Sequence, residues 1–216
     1  MQDHIDATAM EKAVTDFLVA LGEDPEREGL RETPRRVTKY WEELTEGMNY
    51  TNEEIAKMYG KCFEVDNDSL VVRKVENIYS HCEHHLALMY NMTATVAYLP
   101  LKLEDGHYRV IGLSKIPRIV ELCAKRLQLQ EKLANDIADC ISKATGSCDI
   151  FVNIVGDHAC VAARGAKNEG RTDVTVAKGR FSTDSALRAE VEQKSRRIAS
   201  ITFPMGFGVP DHLSPA

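Results

Sequence analysis

Two short clusters of metal-binding side chains constrain this chain more than any other feature of its sequence. The first is Cys82-Glu83-His84-His85, and the second, far along the chain, is His158-Ala159-Cys160. Cys and His are ligands that zinc prefers in proteins. His84 and His85 are adjacent and cannot easily face the same atom, so one would bind a metal and the other would be free for proton transfer. A shared ion therefore requires a fold that brings two distant segments together.

The spacing within each cluster fits such a site. Cys82 and His85 are separated by two residues, so one tight turn can direct both side chains to one ion. In an extended segment His158 and Cys160 would point to the same face, because side chains alternate along a strand. Four ligands would close a structural zinc site, whereas three would leave a position for water, as in catalytic sites. The remaining alternative is that no metal binds, and that the cysteines are buried as small hydrophobic residues while the histidines are scattered on the surface.

Composition excludes several classes of function. A chain of 216 residues with 44% hydrophobic residues can form one domain with a substantial core. Its net charge of −6 argues against a nucleic-acid partner. We see no signal peptide and no apolar run near the roughly 20 residues that span a bilayer, so we predict a cytoplasmic protein without a membrane partner. Its six cysteines are then expected to be reduced thiols.

The hydrophobic periodicity predicts an α+β fold. It favours helices near 10–21, 34–44 and 52–59, strands on both sides of the Cys82 turn, a helix pair from 115 to 144, strands at 149–155, 158–164 and 172–181, and a last helix near 184–199. Strands joined by short turns pair antiparallel, and the helix pair would cover one face of the sheet and leave the other open. We divide the chain into a helical region (1–66), a catalytic domain (67–200) and a tail (201–216).

Several further motifs complete the pattern, and together they resemble the GTP cyclohydrolase I family, which has the tunnelling fold. Besides the two metal-binding clusters, the matching blocks are Glu32–Val37, Ile111–Lys115, Arg118–Glu121, Arg126–Glu131 and Arg164-Gly165. They follow the family's order over residues 10–182. The sequence departs from the family at Val155, where most members carry Glu, and at Asn91, where Gly is usual.

The resemblance implies a catalytic zinc. Cys82, His85 and Cys160 would hold the ion, with water in the fourth position, and His84 and His158 would transfer protons. Zinc lowers the pKa of bound water to about 7, which would supply a nucleophile for opening a purine ring at C8. Imidazoles titrate in the range needed to protonate N7 of the purine.

The resemblance also implies a substrate site. Glu131 and Gln130 would anchor the guanine edge, and Lys115, Arg118 and Arg164 would hold the triphosphate. Ser114 is either only a helix N-cap or also takes part in the later ribose rearrangement. The cationic face of the second helix, with Arg36 and Lys39, either contacts the substrate or is simply solvated.

The implied activity is the conversion of GTP to 7,8-dihydroneopterin triphosphate with release of formate. The implied assembly is a homodecamer, in which five sheets close into a barrel and two pentamers stack. The alternatives are a tunnelling-fold enzyme that acts on another purine or pterin, and a zinc-stabilised scaffold without activity.

Overall fold

The structure is a computed structural model that describes residues 5–200 of the chain, so the predicted tail at 201–216 lies outside the described residues. Its helices are α1 (Ala7–Ala20), α2 (Thr33–Leu44), α3 (Asn52–Tyr59), α4 (Lys115–Ala124), α5 (Gln130–Thr145), α6 (Ala159–Ala162), α7 (Arg180–Thr183) and α8 (Ser185–Ser200), with a 3-10 turn at Glu46–Asn49. Its strands are β1 (Cys62–Val65), β2 (Val71–Cys82), β3 (Leu88–Tyr98), β4 (Leu101–Lys102), β5 (Tyr108–Ile111), β6 (Leu127–Gln128), β7 (Ile150–His158) and β8 (Thr172–Ala177).

The main sheet has five strands in the order β6-β2-β3-β7-β8. Strands β2, β3, β7 and β8 pair antiparallel, and only the two-residue β6 runs parallel to its neighbour β2. A smaller sheet has the order β1-β5-β4. The α+β architecture predicted from the sequence is therefore confirmed.

The helix pair α4 and α5 packs on one face of the main sheet, as predicted. Both helices repeat apolar residues at spacings of three and four, which places one stripe of each against the strands. The fully buried members of this core include Ile116, Ile119 and Val120 of α4, Leu133, Ile137 and Ile141 of α5, and Met92, Val96, Val152 and Ile154 of the sheet. Helix α5 ends at Gly146, whose φ of +77° is the left-handed conformation that favours glycine at a helix end.

The opposite face of the sheet is not left open, contrary to the prediction. Phe181 of α7 and Val191 of α8 are buried against Ala97 and Phe151 in a second, smaller core. Further along α8, the hydroxyls of Ser195 and Thr95 lie 2.9 Å apart and share a hydrogen bond. The last helix therefore covers part of this face, because its apolar positions find apolar partners on the sheet.

Two local predictions were wrong. Residues 158–164 do not form a strand, because β7 ends at His158 and the chain turns at once into α6. The pair Thr33-Pro34 predicts a helix start with Thr33 as the N-cap, but Thr33 is the first residue of α2 and the cap position belongs to Glu32, whose side chain makes no capping bond.

The N-terminal region is joined to the rest of the chain in two ways. Strand β1 pairs with β5, so the predicted helical region contributes a strand to a sheet that extends beyond it. The division of the chain near residue 66 stays a prediction. The second connection is the close approach of Gly47 to α4, where a Cβ atom would lie 2.0 Å from the Leu122 carbonyl oxygen. Only glycine fits this contact.

The side chain of Arg126 connects the N-terminal region to the loop between α4 and α5. Its guanidinium donates to the carbonyl oxygens of Gly47 (3.0 Å) and Tyr50 (2.7 Å), to Oδ1 of Asn52 (2.7 Å) and to Oδ2 of Asp136 (3.0 Å). The Arg126 residue is only 9% exposed. Although burial opposes ionisation of Asp136, hydrogen bonds from Gln128, Lys132 and Asn52 hold its pKa below the usual value.

We expect Arg126→Ala to lower the free energy of unfolding by about 3–5 kcal/mol, because it leaves the Gly47 and Tyr50 carbonyls without this donor and removes a charged partner of Asp136. Arg35→Ala is the matched control. It removes an exposed ion pair to Glu32, with exposed fractions of 57% and 52%, and should lower the free energy of unfolding much less. Urea unfolding at one protein concentration measures both, and equal effects would contradict the anchoring role of Arg126.

Candidate metal centre and active site

The Cys82 turn is fixed by backbone hydrogen bonds on both sides. Cys82 is the last residue of β2 and pairs with Gln128 of the parallel strand β6. The amide of Glu83 donates to the Gln128 carbonyl oxygen (3.0 Å), and the amide of Leu86 donates to the Cys82 carbonyl oxygen (2.8 Å). The turn therefore has a defined path, which positions the side chains of Cys82 and His85.

Cys160 reaches the same place because β7 and β2 finish at the same end of the sheet, where Met89 of β3 pairs with both Ser80 and His158. It lies in the helical turn α6 directly after β7, so a turn and not strand alternation carries it to the site. The ligand atoms of Cys82, His85 and Cys160 all lie within 4.8 Å of one another. Cys82 is buried, Cys160 is half-buried and His85 is exposed, so the cluster opens to solvent on one side.

The three side chains suit zinc in type and spacing. Zinc–sulfur and zinc–nitrogen bonds of about 2.3 and 2.0–2.1 Å place tetrahedral ligands about 3.6–3.8 Å apart. The observed separations, all within 4.8 Å, are compatible with these distances. Burial, together with the neighbouring Cys82 thiol, raises the pKa of Cys160. A bound cation acts in the opposite direction, because it stabilises the thiolate of a cysteine ligand.

Arg164 contacts the cluster directly. Its Nη1 lies 3.0 Å from Nε2 of His85. A guanidinium can only donate, so this ring nitrogen is the acceptor and carries no proton. The predicted triphosphate ligand Arg164 therefore lies beside a predicted metal ligand, although the two are far apart in sequence.

His158 points to α5, where Nε2 lies 2.7 Å from Oε1 of Gln130. Burial lowers the pKa of His158, while the charges of Glu131 and Asp157 act in the opposite direction. A histidine that stays neutral at neutral pH can accept a proton, as a general base must. His158 is therefore close to Gln130 and Glu131, as the predicted site requires.

His84 does not belong to the cluster. Its ring is perpendicular to that of His85, with the ring centroids 6.3 Å apart, and it is exposed. This agrees with the expectation that adjacent histidines cannot serve the same ion.

The remaining predicted residues are exposed or half-buried on the three helices α2, α4 and α5, and no hydrogen bond or ion pair joins them to the cluster within residues 5–200. Glu131 is exposed in the first turn of α5. Ser114 occupies the N-cap position of α4, but its side chain makes no capping hydrogen bond, which argues against a purely structural role. The cations Lys115, Arg118, Arg36 and Lys39 have no ion pair in the described part of the chain.

Sequence reasoning missed His81, the residue before Cys82. His81 is 3% exposed, and its Nε2 lies 2.8 Å from the Tyr40 hydroxyl, with the Trp41 ring centroid 4.7 Å from its own. Adjacent strand residues point to opposite sides, so Cys82 can serve the metal site while His81 packs on α2. The aromatic pair on the apolar face of α2 was the signal that could have indicated this contact.

A polar contact that sequence reasoning also missed joins the two ligand-bearing segments. Nδ2 of Asn91 donates to Oδ2 of Asp157 (2.9 Å), and Arg171 donates to the Asn91 carbonyl oxygen (2.6 Å). Oδ1 of Asp157 is buried without a hydrogen bond and lies 3.5 Å from Nε of Arg171. Asn91 has a φ of +50°, which explains why glycine is usual here and why Asn is tolerated.

The other departure from the family pattern, Val155, falls within the sheet. It pairs with Thr93 of β3 and Asp173 of β8. It therefore changes neither the Cys82 turn nor α6, the segments that carry the three clustered side chains.

Together these features define a class of protein, an α+β chain with a Cys–His–Cys cluster suited to a metal and with histidines beside it. A family model described as GTP cyclohydrolase I matches residues 10–196, and this chain belongs to that family. Among similar curated proteins is GTP cyclohydrolase 1 of Clostridium acetobutylicum, 50% identical over 189 residues, which are 85% of this chain and 94% of that protein. The protein of the same name from Clostridium botulinum strain Kyoto is 49% identical over 83% of this chain and 92% of its own length. The one from Clostridium beijerinckii is 45% identical over 88% of this chain and 97% of its own length.

None of the helices in residues 5–200 has the length and the apolar composition needed to cross a membrane.

We expect Asn91→Gly to loosen the loop that carries Cys160 and Arg164. Glycine suits the positive φ, so the substitution removes mainly the hydrogen bond to Asp157, which is worth about 1.5–3 kcal/mol for a charged acceptor. Hydrogen exchange followed by mass spectrometry should show faster exchange in residues 157–171.

Asn77→Gly is the matched control for this change. Asn77 also has a positive φ (+57°), but its side chain has no hydrogen bond among the described residues. It should leave exchange in residues 157–171 unchanged. If both variants accelerate exchange there equally, the Asn91–Asp157 contact does not hold the loop.

Proposed function

We propose that this chain is a zinc-dependent GTP cyclohydrolase I, which converts GTP to 7,8-dihydroneopterin triphosphate and releases formate. This reaction is the first step of pterin and folate biosynthesis. The observation that carries the proposal is the cluster of Cys82, His85 and Cys160, whose ligand atoms converge from two distant segments. Membership of the family, with relatives named GTP cyclohydrolase 1, supports the choice of substrate.

We assign Cys82, His85 and Cys160 as the zinc ligands. Two thiols and one imidazole form a donor set that favours zinc over the hard cations magnesium and calcium. When bound by three protein ligands, zinc retains a position for water and lowers the pKa of that water to about 7.

We assign proton transfer to His84 and His158. Opening of the purine ring requires a proton at N7, and an imidazole can deliver or accept one near neutral pH. The exposed ring of His84 beside the cluster and the half-buried ring of His158 on the other side support this division of roles. Ser114, whose hydroxyl is not used as a helix cap, is proposed to assist the later ribose rearrangement.

The proposed substrate site combines one carboxylate with several cations. Glu131, in the first turn of α5, would accept hydrogen bonds from the N–H groups of guanine. Lys115 at the start of α4, Arg118 one turn later and Arg164 would bind the triphosphate, since cations and helix N-termini both favour phosphate. Arg36 and Lys39 on α2 are proposed to add positive charge at this site.

An assay with GTP tests the proposal. The protein should release formate and form a fluorescent pterin, whereas ATP should not react, because a mismatched base leaves buried polar groups unpaired. Cys160→Ser should lose nearly all zinc by metal analysis and all turnover. His84→Ala should keep its zinc and lose turnover by about 10²-fold or more.

The outcomes separate the alternatives. No pterin from GTP but turnover of another purine would indicate a tunnelling-fold enzyme of different specificity. Full zinc occupancy without any turnover would favour a scaffold. Full zinc occupancy in Cys160→Ser would contradict the ligand assignment.

The proposed assembly is a homodecamer in which five main sheets close into a barrel. Its support is the state of the sheet edges in one chain. Among residues 5–200, strand β8 has no partner on its outer side, and β6 pairs only with His81 and Cys82 of the long strand β2. Open edges of this length pair with other chains unless something blocks them. Pairing β8 of one chain with β2 of the next would close a ring.

Light scattering should give a mass close to ten times the 24.1 kDa chain. An active monomer or dimer would contradict the ring. If the site is shared between subunits, co-assembled His84→Ala and Glu131→Ala chains should regain part of the activity, while each variant alone stays inactive. This recovery requires that the two groups of one site come from different chains.

A further inference from the structure

The orientation of the Gln130 side chain is determined by two carbonyl groups. Gln130 is the first residue of α5 and is 2% exposed. Its Nε2 donates to the carbonyl oxygens of Ile154 (2.8 Å) in β7 and Thr172 (3.1 Å) in β8. An amide oxygen could not face two carbonyl oxygens, so the nitrogen must take this position. Both N–H groups are then used, and Oε1 points to the opposite side.

This orientation decides which nitrogen of His158 carries a proton. Oε1 of Gln130 lies 2.7 Å from Nε2 of His158, and an amide oxygen can only accept. Nε2 must therefore be the donor. In the neutral imidazole the lone pair is then on Nδ1, which has no hydrogen-bond partner in the part of the chain that the structure describes.

We propose that Gln130 is a positioning residue, which holds the His158 ring through the Nε2···Oε1 hydrogen bond and so leaves Nδ1 as the ring nitrogen available to the substrate. This inference rests on the proposed function and deepens it. It also changes the role that the family resemblance implied for Gln130. The two carbonyls take both of its amide N–H groups and His158 takes its oxygen, which leaves no side-chain donor for guanine, so we assign recognition of the base to Glu131.

The alternative is that Gln130 only connects α5 to β7 and β8. Two substitutions separate these roles. Gln130→Met removes both the donors to the carbonyls and the acceptor for His158. Gln130→Glu also loses the donors but keeps an acceptor at the position of Oε1, so it still favours a proton on Nε2.

If Gln130 acts through His158, Gln130→Met should lower kcat by about 10–100-fold, the usual effect of removing a partner that orients a functional histidine. The KM for GTP should stay within about threefold, because binding of the base is not affected. Gln130→Glu places an oxygen against the two carbonyls and should lower Tm at least as much as Gln130→Met, yet it should retain more of kcat because the acceptor for His158 is kept. Zinc content and Tm are measured for both variants, and a purely structural role would lower kcat and Tm equally in both.

A double-mutant cycle tests the dependence on His158. In a His158→Ala background, Gln130→Met should cause no further loss of kcat, because the group that it orients is absent. Equal losses in both backgrounds, or a rise in KM with unchanged kcat, would overturn the proposal and restore a direct contact with guanine.

A spectroscopic measurement does not depend on turnover or on the variants' folding. Solid-state NMR of ¹⁵N-histidine-labelled protein, with His158 assigned by its absence in His158→Ala, reports which ring nitrogen is protonated. We expect Nε2 to be protonated and Nδ1 not. The Nδ1–H tautomer would overturn the proposal. If Nε2 is protonated but the protein does not convert GTP, the proposed function is contradicted while the role of Gln130 in orienting His158 stands.

Discussion

The requirement that buried polar groups be hydrogen-bonded governs the segment from Arg126 to Gln130, on which the rest of the structure depends. Arg126 binds the N-terminal region, Gln128 donates to the Cys123 carbonyl and Asp136, and Gln130 donates to two strands. The backbone of Gln128 also pairs with Cys82. One short loop therefore positions the N-terminal region, the Cys82 turn and His158 at the same time. An apolar loop of the same length could fill the space but could not fix these orientations.

The candidate metal centre depends on this arrangement because its three candidate ligands come from segments that do not stabilise one another locally. The Cys82 turn is held by β6 from one side, while α2 packs against His81 on the other face of the strand. The loop with Cys160 is held by Asn91, Asp157 and Arg171. The site is thus rigid where the backbone is paired and open at His85, as access for a substrate requires.

Much of the fold and of the candidate site could be predicted from sequence. The helical periodicity of α4 and α5, the Gly146 end of α5 and the antiparallel strands are local patterns, and the structure agrees with them. The prediction failed where contacts between distant segments determine the path of the chain and the packing of its helices. Strand alternation does not place His158 and Cys160 on one face, since Cys160 lies on a helical turn and His158 contacts Gln130 on α5. The cover provided by α8 depends on matching apolar residues far apart in the chain, which periodicity does not reveal.

The sequence by itself determined which chemistry is available, because two thiols and three imidazoles at these spacings suit a soft divalent metal and proton transfer. It also determined the type of most elements, since periodicity and end signals act over a few residues. Only the tertiary structure decided what each polar side chain faces. The partners of Gln130 lie 24 to 42 residues away, and the contact between Arg164 and His85 spans 79 residues. Such contacts exist only after the sheet and its helices have packed. The helix or strand that carries a side chain sets its direction, but the packing of the elements against one another determines which partner it meets.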